Sequence, residues 1–434
     1  MEGVASPQVV FYGDDFTGAT DALGTAARAG MRSLLFLGVP EDGQLRRAGV
    51  LDCIGIAGAA RSMAPHEMRA ELAPVAALFT RLGAKVLHYK CCSTFDSAPE
   101  VGNIAVAVDV LRTGVKQSWV AVVGGQPELR RYCIFGNLFA AAGQGGEVHR
   151  IDRHPTMSRH PVTPMHEADL RRHLALQGLT GLGSLPYPTY APPESAVSEA
   201  LEALVASAPA GVLFDVAQQA DLPRIGQALN ASAHANGSLL AVGPSSVLQA
   251  LAPARQPPAP APAPVAPAKG PAFVLAGSLS PVTARQVAAA RSFETAWLDP
   301  AALADAQPHH LDAIARQICE KLAAGRNVLA CTAEGAPSSI VSSRALAEAG
   351  GALLARVLAA TTLHRVGIAG GDTSSHAVKA LDAWGLSYLA ALSPGASLCR
   401  LHSDDPALDG CEIMLKGGQM GGEDVFERLV HGTP

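Results

Sequence analysis

The chain has 434 residues, 48% of them hydrophobic and only 16% charged, which supplies ample material for packed cores and argues against global disorder. Its 33 basic and 38 acidic residues give a net charge of −5, so no basic surface advertises a nucleic-acid partner. No run approaches the ~18–20 apolar residues of a membrane span, and the N-terminus lacks a signal peptide's charged start and apolar stretch. With 8 cysteines and no C-x-x-C or zinc spacing, reduced thiols in a cytoplasmic protein without a membrane partner are expected.

In chain order, short apolar runs alternate with Ala/Leu-rich helical patterns. VVFYG at 9–13 precedes ATDALGTAARAG, SLLFLG follows at 33–38, and GVLDCIGIAG leads into PHEMRAELAPVAALFTRLG. AKVLHYK at 84–90, SWVAVVGG at 118–125, AGVLFDVA at 210–217 and GSLLAVG at 237–243 continue the series. Strands alternating with helices of 10–15 residues predict βαβ units and a parallel sheet. The stretch Leu251 to Pro271, LAPARQPPAPAPAPVAPAKGP, cannot form a helix or a ladder and predicts an extended connector. Beyond it the rhythm returns with AFVLAGS, VTARQVAAARS, NVLACTA, a long helix from about Ser342, RVGIAGG, SSHAVKALDAW and CEIMLKGGQMGGEDVFERLV. The expected architecture is α/β with two domains, 1–250 and 272–434, joined by a 251–271 linker. Each domain is a mostly parallel sheet flanked by helices, and function is sought at the carboxyl ends of its strands.

The first chemistry-bearing segment, Gly13-Asp14-Asp15-Phe16-Thr17-Gly18-Ala19-Thr20-Asp21, directly follows the first strand. Two adjacent carboxylates there are costly unless polar partners meet them, while Thr20 or Asp21 suits a helix cap. The second, Tyr89-Lys90-Cys91-Cys92-Ser93-Thr94-Phe95-Asp96-Ser97 with Gly102-Asn103, places an ammonium among hydroxyls and a carboxylate. That set suits a polyhydroxy acid. Cys91 and Cys92 read as packing thiols. Arg61, and Arg159 with His160 beside HPVTPM, add cations for an anion.

The C-terminal half carries three strand–glycine–helix turns: Gly277-Ser278-Leu279-Ser280, Gly370-Gly371-Asp372-Thr373, and Lys416-Gly417-Gly418 running on to Gly421. Such turns cradle phosphates with main-chain N–H groups at the positive end of a helix. None is a G-x-x-x-x-G-K-[ST] loop, a dinucleotide fingerprint or a protein-kinase signature.

Taken with GDDFTGATD, YKCCSTFDS, HPVTPM, AGSLSPVTARQV, AGGDTSS, SPG at 393–395 and LKGGQMGGEDVF, the chain resembles the four-carbon acid sugar kinase family nearly end to end. That family includes 3-oxo-tetronate, D-threonate and D-erythronate kinases. The resemblance implies a sugar-acid-binding domain facing a nucleotide-binding domain, with the active site in the inter-domain cleft. It implies phosphorylation of the terminal hydroxyl of a four-carbon acid by ATP, with Mg²⁺ bridging the phosphates and no protein ligand assigned to it. Asp15, or failing that Asp14 or Asp96, would take the hydroxyl proton. Thr17, Arg61, Lys90, Ser93, Thr94, Asn103, Arg159 and His160 would bind the acid. Gly277, Ser278, Ser280, Gly370, Gly371, Asp372, Thr373, Pro394, Gly395, Lys416, Gly417, Gly418 and Gly421 would hold the nucleotide. The partners are then a small sugar acid and ATP or ADP, and pairing into a homodimer is compatible with the sequence. One departure stands out: relatives carry a basic residue just before the Gly-Asn pair, where this chain has Glu100. A changed substrate, a non-catalytic sugar-acid sensor and a nicotinamide-dependent dehydrogenase are the alternatives.

Overall fold

The structure, a computed structural model, describes residues 6–143, 145–160, 162–193, 195–252, 264–277, 280–305, 307–332 and 343–433, the side chains of Ser343 and Asp372 excepted. It divides into two units, residues 1–34 with 38–259, and residues 35–37 with 260–434.

The strands of the first half are β1 (Val9–Gly13), β2 (Ser33–Phe36), β3 (Cys53–Ala57), β4 (Val86–Lys90), β5 (Val120–Val123), β6 (Gly125–Gln126), β7 (Arg131–Ile134), β8 (Asn137–Ala141), β9 (Val148–Arg150), β10 (Leu182–Leu185), β11 (Gly211–Phe214) and β12 (Leu239–Gly243). Its helices are α1 (Phe16–Arg28), α2 (Asp42–Ala48), α3 (Pro65–Leu82), α4 (Ile104–Arg112), α5 (Leu170–Leu176), α6 (Ala196–Ala206), α7 (Leu222–Asn236) and α8 (Ser246–Leu251). The main sheet of this unit runs β10-β11-β5-β12-β4-β1-β3, all parallel. β1, β3, β4 and β12 are buried at every position. That explains why they read as unbroken apolar runs rather than alternating ones.

β1 lies between β3 and β4, with Gly13 level with Ala57 on one side and Lys90 on the other. The chain therefore leaves β1 toward opposite edges. The loops after β1 and β4 flank a topological switch point, where open α/β sheets bind their ligands. A second, antiparallel sheet, β6-β7-β8-β9, interrupts the βα rhythm. It is anchored by the buried Asp215, which accepts from the Phe135 N–H at 2.6 Å, the Gly136 N–H at 2.9 Å and the Tyr187 N–H at 3.2 Å. Phe135 sits at φ 50°, a left-handed conformation that the Phe135 and Gly136 N–H bonds to Asp215 hold in place.

Close packing between α7 and α8 depends on one glycine. A Cβ on Gly226 would fall 1.7 Å from the Ala250 carbonyl oxygen, a backbone atom that cannot step aside. Gly226→Ala is expected to destabilise this unit by about 3 kcal/mol, seen as a lower midpoint in urea unfolding. An unchanged midpoint contradicts the tight contact.

The second unit adds β13 (Phe273–Ala276), β14 (Phe293–Leu298), β15 (Asn327–Thr332), β16 (Arg365–Ala369), β17 (Gly385–Ser393), β18 (Ala396–His402) and β19 (Glu412–Lys416). Its helices are α9 (Pro281–Ala289), α10 (Pro300–Ala304), α11 (Pro308–Ala323), α12 (Ser343–Ala360), α13 (Gly371–Lys379) and α14 (Val425–His431). The sheet runs β17-β18-β19-β16-β13-β15-β14. The five strands from β19 to β14 are parallel, and β17–β18 is an antiparallel hairpin. Leu35 and Phe36 of β2 pair antiparallel with β17 and belong to this unit. Most of the Pro/Ala-rich stretch, 253–263, lies outside the described residues. Its end is docked: the Val265 N–H donates to Thr433 Oγ1, the Thr433 N–H donates to the Val265 carbonyl, and the Ala268 N–H donates to the Val430 carbonyl.

Candidate active site

At the carboxyl ends of β1, β3 and β4, four charged side chains converge. Arg61, on the short helical turn after β3, grips both oxygens of Asp14, Nη2 to Oδ1 at 2.7 Å and Nε to Oδ2 at 3.2 Å. The same Nη2 lies 2.8 Å from Asp15 Oδ1. Lys90 Nζ approaches that oxygen at 3.9 Å, beyond hydrogen-bond distance. Asp14 and Lys90 are buried, with side chains 5% and 6% exposed, while Asp15 keeps 27%. Burial pushes the Asp14 carboxyl up, against the pull of Arg61. Burial acts on Asp15 in the same direction, but Arg61, Lys90 and the Gly18 N–H together hold it below the usual carboxylate range. Burial also works against the Lys90 ammonium, yet Asp15 and Asp14 raise it, so it stays charged. Asp15 Oδ1 also accepts the Gly18 N–H at 2.9 Å and caps α1. This corrects the expected cap at Thr20 or Asp21. Both lie inside α1, and Asp21 instead accepts from Ser245 Oγ at 2.5 Å. A Cβ on Gly18 would fall 2.0 Å from Lys90 Nζ and 2.3 Å from Asp15 Oδ1, so a side chain there would displace both groups.

The loop after β4 supplies Thr94 and Asp96, joined by an Oγ1–H···Oδ1 bond of 2.5 Å, and Asp96 acts electrostatically on Arg61. Ser93 is buried, and Thr17 Oγ1 is buried without a partner among the described residues. Asn103 is committed to structure: Oδ1 caps α4 at the Val106 N–H, and Nδ2 donates to the Pro99 and Gln177 carbonyls. A polar residue before an apolar helical run carries that signal in the sequence. His160 Nδ1 accepts from the Thr163 N–H at 3.1 Å, and Arg159 is exposed at the end of a short helical turn. Among the described residues no hydrogen bond or ion pair joins either to the Asp15 cluster. The Cys91 and Cys92 thiols are both raised by burial, as packing groups are.

In the second unit the strand register places Ala276, Ala369 and Lys416 side by side at the ends of β13, β16 and β19. The three glycine turns therefore open from neighbouring strands. The Gly277 N–H donates to Ala369 O and the Gly370 N–H to Lys416 O, each at 3.0 Å, stitching the turns together. Gly277 lets Thr373 close in, because a Cβ there would lie 2.3 Å from Thr373 Oγ1. Gly370, at φ 134, caps α13. Ser280 caps α9 and, with Thr283, reaches the Gly418 carbonyl. Gln286 Nε2 clasps the carbonyls of Met420, Gly421 and Gly422 at 3.0–3.1 Å. Pro394 and Gly395 form the β17–β18 turn, level with Lys416 through Ala396. Ser278 and the Asp372 side chain lie outside the described residues.

Lys416 is fully buried and its Nζ donates to Thr283 Oγ1 at 3.2 Å, and among the described residues no carboxylate pairs with it. Burial brings it down to about 8. Ser374 Oγ is buried without a partner nearby. A buried cation, an orphan hydroxyl and three glycine-lined turns form a donor set that fits polyphosphate. Among the described residues no three or more His, Cys, Asp or Glu groups assemble as a metal cage. Mg²⁺ does not need one, because it keeps waters and binds through phosphates and one or two carboxylates. Sequence reading missed Thr283 and Gln286. Their signal is a polar side chain on the buried face of a helix that is otherwise rich in alanine and valine.

Residues 9–251 match the model of the sugar-binding N-terminal domain, and residues 273–426 that of the nucleotide-binding C-terminal domain. The chain is 37% identical to a 3-oxo-isoapionate kinase of Paraburkholderia graminis, over 98% of this chain and 94% of that one. It is 30% identical to 3-oxo-tetronate kinases of Methylobacterium radiotolerans and Cupriavidus necator, over 96% of this chain and 97% and 95% of theirs. A solved structure from Salmonella typhimurium LT2 shares the fold at TM-score 0.79 and 24% identity, covering 98% of both chains. One from Haemophilus influenzae does so at 0.74 and 23%, covering 96% of this chain and 98% of that one. The dehydrogenase alternative falls, since relatives that span nearly the whole chain are kinases. No described helix is long and apolar enough to cross a membrane. With both halves matched in order and kinase relatives spanning nearly its whole length, the chain belongs to the four-carbon acid sugar kinase family and is a sugar-acid kinase.

Proposed function

We propose that this kinase transfers the γ-phosphoryl group of ATP to the terminal hydroxyl of a small 3-oxo sugar acid, of the 3-oxo-tetronate or 3-oxo-isoapionate kind. The observation that carries the reading is the Asp14–Arg61–Asp15–Lys90 cluster at the switch point of the unit matched by the sugar-binding model. Arg61 Nη1 and Lys90 Nζ have donors left over after the cluster's own bonds, and these meet the substrate carboxylate. Asp14 fixes the plane of Arg61. Asp15, with Oδ2 outside the cluster's bonds, accepts the proton of the attacking hydroxyl. Thr17, Ser93, Thr94 and Asp96 line the acid's hydroxyls, and Arg159 and His160, on the turn at 157–160, are assigned a supporting role toward the acid's charge. The turns at Gly277, Gly370 and Gly417, with Lys416, hold the triphosphate. Mg²⁺ carried by ATP supplies charge neutralisation across the phosphate oxygens. Phosphoryl transfer needs positioning and neutralisation more than covalent chemistry from the protein.

Glu100 is exposed on its loop, and the Arg61–Lys90 pair provides cations in its place, which favours a catalyst over a sensor. An ADP-release assay across 3-oxo-tetronate, 3-oxo-isoapionate, threonate and erythronate tests the reading. Turnover is expected with a 3-oxo acid and at least about 10-fold lower kcat/KM with the reduced acids. ATP binding with no acid-dependent ADP release across the panel contradicts it and favours the sensor.

A further inference from the structure

Behind the loop after β4 lies a buried polar network that the reaction itself does not use. Phe95, wholly buried, is held at φ 53, a left-handed conformation that a phenylalanine rarely adopts. Its carbonyl accepts from Ser97 Oγ at 2.9 Å, and His173 Nε2, from α5, lies 3.1 Å from the same oxygen. His173 Nε2 is also 3.0 Å from Ser97 Oγ. Gln177, just past α5, donates to Ser97 Oγ at 2.8 Å and accepts the Ile104 N–H at 2.8 Å. Burial lowers His173 and keeps the ring neutral; Asp96 and Glu167 are the acids that face it.

We propose that His173 and Gln177 are positioning residues for the acceptor: by locking the left-handed turn at Phe95, they set where Thr94 and Asp96 stand against Arg61. The residues on either side of the strained position are Thr94 and Asp96, so relaxing Phe95 redirects both side chains. The anchor of α5 is itself firm, with Asp169 capping it and the Leu170 N–H bonded to Gly136 O. In turn the Gly136 N–H is held by Asp215. A rigid chain of bonds therefore runs from β11 to the acid-binding loop. The inference rests on the reading that Thr94 and Asp96 line the acceptor.

The test is steady-state kinetics of His173→Leu, His173→Gln and Gln177→Leu with ATP and whichever 3-oxo acid the wild-type enzyme turns over, beside Asp96→Asn as a reference. His173→Leu and Gln177→Leu are expected to raise the acceptor KM by about 10–100-fold, with the ATP KM within about twofold of wild type. A glutamine at 173 supplies a donor or an acceptor at the Nε2 position, so His173→Gln is expected to recover most of the loss whichever tautomer holds. Acceptor KM unchanged in both leucine variants, while Asp96→Asn raises it, overturns the positioning role. Equal rises in both KM values with a lowered Tm and no recovery in His173→Gln also overturn it, as a merely structural effect. Should Asp96→Asn itself leave the acceptor KM unchanged, the reading of the acid site fails instead, and this inference falls with it.

Discussion

Asp15→Asn is expected to lower kcat by about 10²–10⁴-fold while the ATP dissociation constant stays within about twofold of wild type. The substitution isolates the charge. Asparagine caps a helix as well as aspartate does, so the bond to the Gly18 N–H that starts α1 is kept. What disappears is the carboxylate that accepts the proton. Its pull on Arg61 and Lys90 goes as well. Asp15 is held below the ordinary carboxylate range by those two cations. It is therefore ionised throughout the neutral region, and its titration should not limit activity there. On the acid side, wild-type kcat/KM should fall only below the usual carboxylate range, where Asp15 becomes protonated. The checks are ADP-release kinetics and a calorimetric ATP titration of the variant. Turnover close to wild type removes Asp15 from the role of base.

The second large effect concerns Lys416. Among the described residues no acid pairs with this buried ammonium, and burial brings it down to about 8. Polyphosphate would restore the missing counter-charge. Binding should therefore take up a proton at and above pH 8, and ATP affinity should fall by about 10-fold per pH unit above that point. The sign for stability is opposite. With a native pKa below the unfolded value, the unfolded chain binds more protons between about 8 and the ordinary lysine range. Stability without nucleotide then rises with pH across that window. Lys416→Met should leave Tm unchanged or higher, weaken ATP binding by about 100-fold, and abolish the alkaline decline. Calorimetry at pH 7.5 to 9.5 in two buffers of different ionisation enthalpy reads the proton uptake. The same pH slope in Lys416→Met contradicts the assignment.

The parallel sheets were legible because strands buried on both faces leave unbroken apolar runs, and β1, β4, β12 and β16 are of that kind. The three glycine turns were legible for a related reason, since each follows such a run and opens a helix. That they sit beside one another follows only from the register Ala276–Ala369–Lys416, which no local pattern encodes. The sheet β6–β9 was not legible. Its strands have two to five residues and are largely half-buried, too short and mixed for a period-2 signal. His173 and Gln177 were missed because their partner Ser97 lies 76 and 80 residues away. Asn103 looked like a ligand group because the same amide chemistry serves a helix cap and a sugar hydroxyl. Asp21 looked like the cap because it directly precedes the apolar pair Ala22-Leu23. The helix starts earlier, at Phe16, since Asp15 is already in place to accept the Gly18 N–H.

The central claim is that main-chain amides of three adjacent glycine turns and the buried Lys416 hold the phosphates of ATP. A crystal structure of the full chain with Mg²⁺ and a non-hydrolysable ATP analogue tests it most directly. The account predicts phosphate oxygens within hydrogen-bond distance of Lys416 Nζ and of N–H groups in the turns at Gly277, Gly370 and Gly417. A triphosphate bound elsewhere, with Lys416 still bonded only to Thr283, contradicts it.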